Sequence, residues 1–232
     1  EYENLKSFFS YRKYSNIHKF YESYQFHRSE KKYNKLLKID ITKCFDSIYT
    51  HSIAWALFNK DIVKSNIDES LSTFGGEFDR LMQDLNANET NGIIIGPEFS
   101  RIFAELILQQ IDINIHERLK SDDNNGKYLV HKVDYEIFRY VDDYFIFYNK
   151  EEDKERITET FKLALKEYKM YLNDKKSIQY SKPIITEISI AKQKINDLFN
   201  NHLILKEKEN EDEQTSPILY FSSNNVITRF KS

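Results

Sequence analysis

The segment from Arg139 to Tyr148, RYVDDYFIFY, sets two adjacent carboxylates, Asp142 and Asp143, inside a run of strong strand formers. Adjacent anions in an apolar strand repel one another and lose hydration, so the pair belongs at an exposed bend or under a cation. An Asp-Asp hairpin turn and a metal site explain the segment equally well by itself. A third carboxylate, Asp40, ends the strand-like stretch KLLKIDI, Lys35 to Ile41. If these strands are neighbours, Asp40, Asp142 and Asp143 converge at one sheet edge, where they repel strongly without a hard cation. Carboxylate oxygens suit Mg²⁺ or Mn²⁺, which retain waters and take further ligands from phosphates. Two such ions about 3.5 to 4 Å apart serve in-line displacement at phosphorus, with a 3'-hydroxyl attacking and pyrophosphate leaving. That chemistry is nucleotidyl transfer.

The elements that must position these groups follow from periodicity. After the Lys35–Ile41 strand, THSIAWALFNK reads as a helix opening near Thr50, and EFDRLMQDL as a helix following a Gly75-Gly76 break. A glycine-punctuated loop, NGIIIG, leads to Pro97 at a first helical position. A long helix follows, with Phe99, Ile102, Phe103 and Leu106 facing inward. SDDNNG, 121–126, is a loop, and the Asp-Asp hairpin comes after it. Ile157, Phe161, Leu165, Tyr168 and Leu172 then recur at helical spacing up to Asn173, and KSIQYS closes with a strand. Strand, helices, two strands, helix, strand is the order of a ferredoxin-like split βαβ sheet, an α+β architecture with helices on one face. Beyond Lys182, TEISIAKQKINDLF reads as a helix and KEKENEDEQTS as a charged loop.

Composition narrows the function classes. A chain of 232 residues supports one substantial core. Its single cysteine, Cys44, forms no internal disulfide and no paired zinc spacing exists, which fits a reducing cytoplasm. Cys44 itself reads as buried packing. No apolar run approaches the roughly 20 residues that cross a bilayer. The chain opens EYENLKSFF without a methionine and reads as a piece of a longer protein. A net charge of -3 gives no global basic field, but residues 1–39 hold nine Lys/Arg against four Glu, interleaved with ten Tyr and Phe. That mixture suits either a surface that tracks phosphates and stacks bases or a solvated face over an aromatic core.

The motifs resemble those of the reverse transcriptases. LLKIDITKCFDSI is similar to their first palm motif, NGIIIGPEFSRIFAEL to the second, RYVDDYFIF to the third and YLNDKKS to the fourth, over Leu36 to Ser177. SIYTHSI, GPEFSRIFAE and TEISIAK further resemble bacterial abortive-infection and antiphage-defence reverse transcriptases, and among them the second polymerase of a two-reverse-transcriptase system that works with a noncoding RNA.

The resemblance implies a right-hand polymerase: residues 1–35 as a basic, aromatic part of the α-rich fingers, 36–181 as the palm, and 182–232 as a connection toward a thumb. It implies two Mg²⁺ ions, or Mn²⁺, on Asp40 and Asp142, with Asp143 supporting them and the Ile41 carbonyl completing the nucleotide's metal. Phe45 would gate the sugar against a 2'-hydroxyl, favouring dNTPs and a DNA product. Gly96 and Pro97 would lie against the incoming nucleotide, and Gly92, Ser100, Tyr140 and Arg28 against template or primer. Lys176 would protonate or neutralise pyrophosphate. Asn91 departs from the Gln of many relatives, which bears on how that loop meets the primer-template. Expected partners are dNTPs, an RNA template or noncoding RNA, the DNA product, and a second copy or a second reverse transcriptase. Two other readings stand beside this one: a silent palm that serves as an RNA- or partner-binding scaffold, and a nucleotide cyclase, which the second motif and Phe45 disfavour.

Overall fold

The structure is a computed structural model that describes residues 16–121, 128–209 and 215–221, with side chains described through residue 200. Two short helices, α1 (Ile17–Tyr21) and α2 (Tyr24–Lys32), lead into strand β1 (Lys35–Asp40). Then come α3 (Cys44–Ser47), α4 (Ser52–Phe58), α5 (Lys60–Ser65), α6 (Ile67–Leu71), α7 (Phe74–Leu85) and the long α8 (Glu98–Lys120). The hairpin β2 (Tyr135–Tyr140) and β3 (Asp143–Tyr148), helix α9 (Glu151–Glu167) and β4 (Ile178–Ser181) complete the sheet. The four strands lie in the order β2-β3-β1-β4, all neighbours antiparallel. This is the split βαβ arrangement expected from the element order.

The chain divides into two compact units, residues 1–184 and 185–232. In the second, α10 (Glu187–His202) precedes an antiparallel pair, β5 (Leu203–Glu209) and β6 (Thr215–Phe221). KEKENEDEQTS is therefore partly strand rather than wholly loop; its residues 210–214 lie outside the described residues, as do 122–127 of the earlier SDDNNG loop.

Side chains alternate across each strand, so the sheet buries two faces. Leu37, Ile39, Tyr144, Ile146 and Tyr148 join the core that α8 and α9 cover. The opposite face is covered as well, an addition to the one-faced arrangement expected. Phe20 meets Phe138 and Phe145, and Phe26 meets Phe147, with ring centroids 4.8 to 5.5 Å apart. Of the described aromatics in the basic N-terminal segment, Phe20, Tyr21, Phe26 and Tyr33 are thus core residues and no stacking surface, while Tyr24 is exposed. Residues 1–15 of that segment lie outside the described residues.

Local differences from the expected elements have physical causes. Gly75 and Gly76 lie inside α7, which Thr73 caps by accepting from the Gly76 N–H. A Cβ on Gly76 would stand 2.4 Å from the Ser70 carbonyl oxygen and 2.6 Å from Leu71 Cα, so glycine permits α6 to approach α7. Pro97 is the N-cap of α8 and Glu98 its first helical residue. The buried stripe of α8 runs through Phe103, Ala104, Ile107, Leu108, Ile111, Ile115 and Leu119, while Phe99 and Leu106 pack at its margin. Helix α9 ends at Glu167 because Lys169 turns left-handed at φ 62° and Leu172 is taken into a bridge with Ile41.

Candidate active site

The β1–β3 register sets Asp40 directly opposite Asp143. Tyr140 pairs with Asp143 across β2 and β3, which leaves Val141 and Asp142 as a two-residue turn at the same end of the sheet. By strand alternation Lys38, Asp40, Asp143 and Phe145 share the face opposite α8 and α9. The segment after α9 is stitched to the end of β1: the Thr42 N–H donates to the Tyr171 carbonyl at 2.8 Å, and the Asn173 N–H to the Asp40 carbonyl at 2.8 Å. That stitching brings the single-turn helix Asp174–Lys176 alongside, and Lys176 Nζ lies 3.0 Å from Asp40 Oδ2. On the other side Lys38 Nζ lies 3.5 Å from Asp143 Oδ2.

The electrostatics follow from this crowding. Burial first, then the neighbouring Asp40 and Asp143 charges, raise the Asp142 carboxyl above the ordinary carboxylate range. Burial also raises Asp143, which Lys38 pulls down and Asp40 pushes up. The hydrogen bond to Asp40 raises the Lys176 ammonium, which stays charged. Among the described residues no three carboxylate, imidazole or thiol groups close on one point as a metal shell. The donors nevertheless fit a hard divalent ion of the magnesium type, which needs only one or two carboxylates besides waters and substrate phosphates. Asp40, Asp142 and the Ile41 carbonyl are the groups at hand for it.

Phe45 is half-buried at the margin of the core, and its carbonyl accepts from the Ile93 N–H at 2.9 Å. The glycine loop therefore lies along the segment that follows β1. Tyr49 bridges Asn91, and the Gly92 N–H donates to the Ile48 carbonyl at 2.8 Å. Gly92 has φ 87°, and a Cβ there would meet the Asp46 carbonyl oxygen at 3.1 Å; Gly96, at φ 124°, stands in open space. Ile94 and Ile95 are exposed on this loop. Ser100 is fully buried, its Oγ without a hydrogen-bond partner, so the structure does not bring it to a surface that a template touches. Burial pushes the Cys44 thiol up to about 12, with Asp142 adding to the shift, which keeps it protonated and inert.

A family model described as Reverse transcriptase (RNA-dependent DNA polymerase) matches residues 4–214. The chain belongs to the reverse transcriptase family. Among solved structures, a telomerase chain from Candida albicans, in complex with a TWJ fragment of telomeric RNA, is 12% identical with a TM-score of 0.48. The match covers 72% of this chain and 30% of that one, and it carries no weight in the assignment. No curated protein sequence matches the chain.

Two features of this reverse transcriptase palm escaped sequence reasoning. Arg139 is partly buried beside the Asp142 turn, where its guanidinium donates to both carboxylate oxygens of Glu105 at 2.7 Å, to Asp112 at 2.7 Å and to the Val141 carbonyl at 2.9 Å. Tyr144 Oη donates to the other Asp112 oxygen at 2.7 Å. The clamp holds Val141 at φ 57°, a left-handed conformation that β-branched residues rarely adopt. Burial pulls the Arg139 guanidinium down, but the bonds to Glu105 and Asp112 outweigh it and its pKa is raised. The available signal was an arginine three residues before Asp142, on the same hairpin. The second feature is Lys38, whose role depends on a cross-strand neighbour. Arg28, by contrast, is not brought to the carboxylates. It pairs at 2.6 Å with the buried Glu136, near the far end of the hairpin, and Ser29 Oγ donates to the same carboxylate at 3.0 Å.

Proposed function

We propose that this chain extends DNA by metal-dependent transfer of deoxynucleotides, copying RNA or adding without a template. The observation that carries the reading is the β1–β3 register, which sets Asp40 across from Asp143 with Asp142 in the adjoining turn. A pair of bound Mg²⁺ ions, or Mn²⁺, would acidify the primer's 3'-hydroxyl and neutralise the pyrophosphate. Asp40, Asp142 and the Ile41 carbonyl would hold those ions, and Asp143 would support them. The 3'-oxygen bonds to the α-phosphorus as the bond to pyrophosphate breaks; the hydroxyl proton passes to water, and Lys176 protonates or neutralises the departing oxygen. Phe45 closes the floor of the sugar pocket. Gly92, Gly96 and Pro97 shape the loop that meets template and incoming nucleotide, and Tyr140 flanks the turn on the primer side.

In this reading residues 1–35 belong to the fingers, 36–181 form the palm and 182–232 lead toward a thumb. The phrases SIYTHSI, GPEFSRIFAE and TEISIAK support a place among antiphage-defence reverse transcriptases of the cytoplasm, working with a noncoding RNA and with a second copy or second reverse transcriptase. No described helix is long and apolar enough to cross a membrane.

Incorporation of labelled dNTP with and without Mg²⁺, for the wild type and Asp142→Asn, tests the reading. It expects metal-dependent product from the wild type alone. RNA binding by the wild type with no metal-dependent incorporation would return the chain to the scaffold reading.

A further inference from the structure

Three carboxylates meet at the end of the sheet, and two lysines answer them unequally. Lys176 reaches Asp40 from a single helical turn, and its side chain is 70% exposed. Lys38 is embedded: its backbone is paired to Phe145 on one side and Ile178 on the other. Its ammonium lies 5.5 Å from the centre of the Phe145 ring and 3.5 Å from Asp143, with the side chain 27% exposed. With its backbone held on both sides and its ammonium over a ring, Lys38 has less rotamer freedom left to lose than the exposed Lys176, so its pair exchanges with water less readily. Lys176 is held by one contact to Asp40, whereas Lys38 has both Asp143 and the Phe145 ring as neighbours.

We infer that Lys38 is a resident counter-cation that holds Asp143 out of the metal-binding set, so that divalent ions are taken by Asp40 and Asp142 while Lys176 is the cation they displace. The inference rests on the metal-dependent reading above and refines the part played by Asp143 in it. It accounts for the observation that no three carboxylates close on one point, since Asp143 is engaged with Lys38 and Asp40 with Lys176. Its consequence concerns order of binding. Two carboxylates hold magnesium weakly until substrate phosphates add their oxygens, whereas a third would let the site load divalent ions without nucleotide and would favour larger ions with more ligands, such as Ca²⁺.

Equilibrium Mn²⁺ binding to the full chain without nucleotide, read from the electron paramagnetic resonance of free Mn²⁺, tests this. Lys38→Met should tighten binding about tenfold, which is what a unit charge some 6 Å from a divalent ion is worth even at the dielectric of water. Lys38→Arg keeps the pair and should match the wild type. The decisive variant is the double Lys38→Met/Asp143→Asn, which deletes a neutral pair and should bind Mn²⁺ within about threefold of the wild type if Asp143 is no ligand. A loss beyond about tenfold in that double variant, or no tightening in a folded Lys38→Met, overturns the inference. Failure of the underlying reading looks different: Asp142→Asn would then bind Mn²⁺ as the wild type does. Melting curves establish that each variant is folded, and the double variant decides the matter if Lys38→Met alone does not fold.

Discussion

Asp40 and Asp143 stand directly opposite each other across the β1–β3 ladder. Like charges in that position destabilise a sheet. Here each has its own lysine, Lys176 at 3.0 Å from Asp40 and Lys38 at 3.5 Å from Asp143, while Asp142 lies in the adjoining β2–β3 turn with its carboxyl raised by burial. Stability and chemistry are therefore in opposition at this end of the sheet, and the variants below separate the two.

Asp142→Asn should lose nucleotide addition by about a thousandfold or more, the scale of transition-state charge stabilisation by bound metal. It should also melt higher than the wild type near neutral pH. Burial lifts the Asp142 carboxyl above its ordinary value of 3.8, so the folded protein binds that proton more readily than the unfolded chain. Wild-type stability then falls as pH rises from 3.8 through the raised value and stays lower above it. The advantage of the Asn variant should close as pH is lowered toward 3.8. Primer extension and melting on one preparation check both halves, and an active variant removes Asp142 from the metal site.

Phe45→Ala tests the sugar gate. If the ring obstructs a 2'-hydroxyl, its removal should raise the ratio of ribonucleotide to deoxynucleotide efficiency, on the order of tenfold or more. If Phe45 merely packs against the core, the same change should cost up to about 3 to 5 kcal/mol and depress both substrates alike. Competition between ribo- and deoxynucleotides of one base, beside a melting curve, distinguishes the outcomes.

Arg139→Gln should be costly, because it leaves Glu105 and Asp112 facing each other without their shared cation. Breaking a fully buried pair costs about 3 to 5 kcal/mol, and with Glu105 29% and Asp112 35% exposed the loss here should be about 1 to 3 kcal/mol, measurable by denaturant titration. Arg139→Lys keeps the charge but loses the fork, so its stability should fall between the two. Because the Val141 carbonyl also loses its donor, kcat of the Lys variant should drop while KM for the nucleotide stays close to wild type. A variant with full kcat would show that the turn holds its strained conformation without the clamp.

Gly76→Ala and Gly75→Ala form a matched pair on α7. The first places a Cβ 2.4 Å from the Ser70 carbonyl oxygen and 2.6 Å from Leu71 Cα, backbone atoms that cannot yield without moving α6. It should cost about 3 kcal/mol, at the upper end for overpacking. The second meets Leu57 Cδ1 at 3.3 Å, a side-chain tip that can turn aside, and should cost less than about 1 kcal/mol. Equal midpoints in chemical denaturation would contradict the packing of α6 on α7.

The fold class was legible because it rests on short-range pattern. Runs of strand formers in KLLKID and YFIFY, helical spacing through Ile157, Phe161 and Leu165, and the order of these elements together call for a split βαβ sheet. Asp40 at a strand end and an Asp-Asp hairpin were readable for the same reason. Spacing was a poorer guide where tertiary contacts competed with it. Tyr168 and Leu172 continue the apolar period of α9, yet the chain turns at Lys169 and gives Leu172 to Ile41. Gly75 and Gly76 look like a break until α4 is seen packed against the first and α6 pressed against the second.

What the tertiary structure alone decided is which charge faces which. Lys176 meets Asp40 across 136 residues of sequence, Arg139 meets Glu105 across 34, and Arg28 meets Glu136 across 108, too far from any carboxylate turn to touch it. Lys38 meets Asp143 only because the strand register is what it is. A residue's type and its local period state what it can do and which side of an element it occupies. Its partner is set by register and by the packing of helices on the sheet, and these are properties of the whole core that no local window of sequence contains.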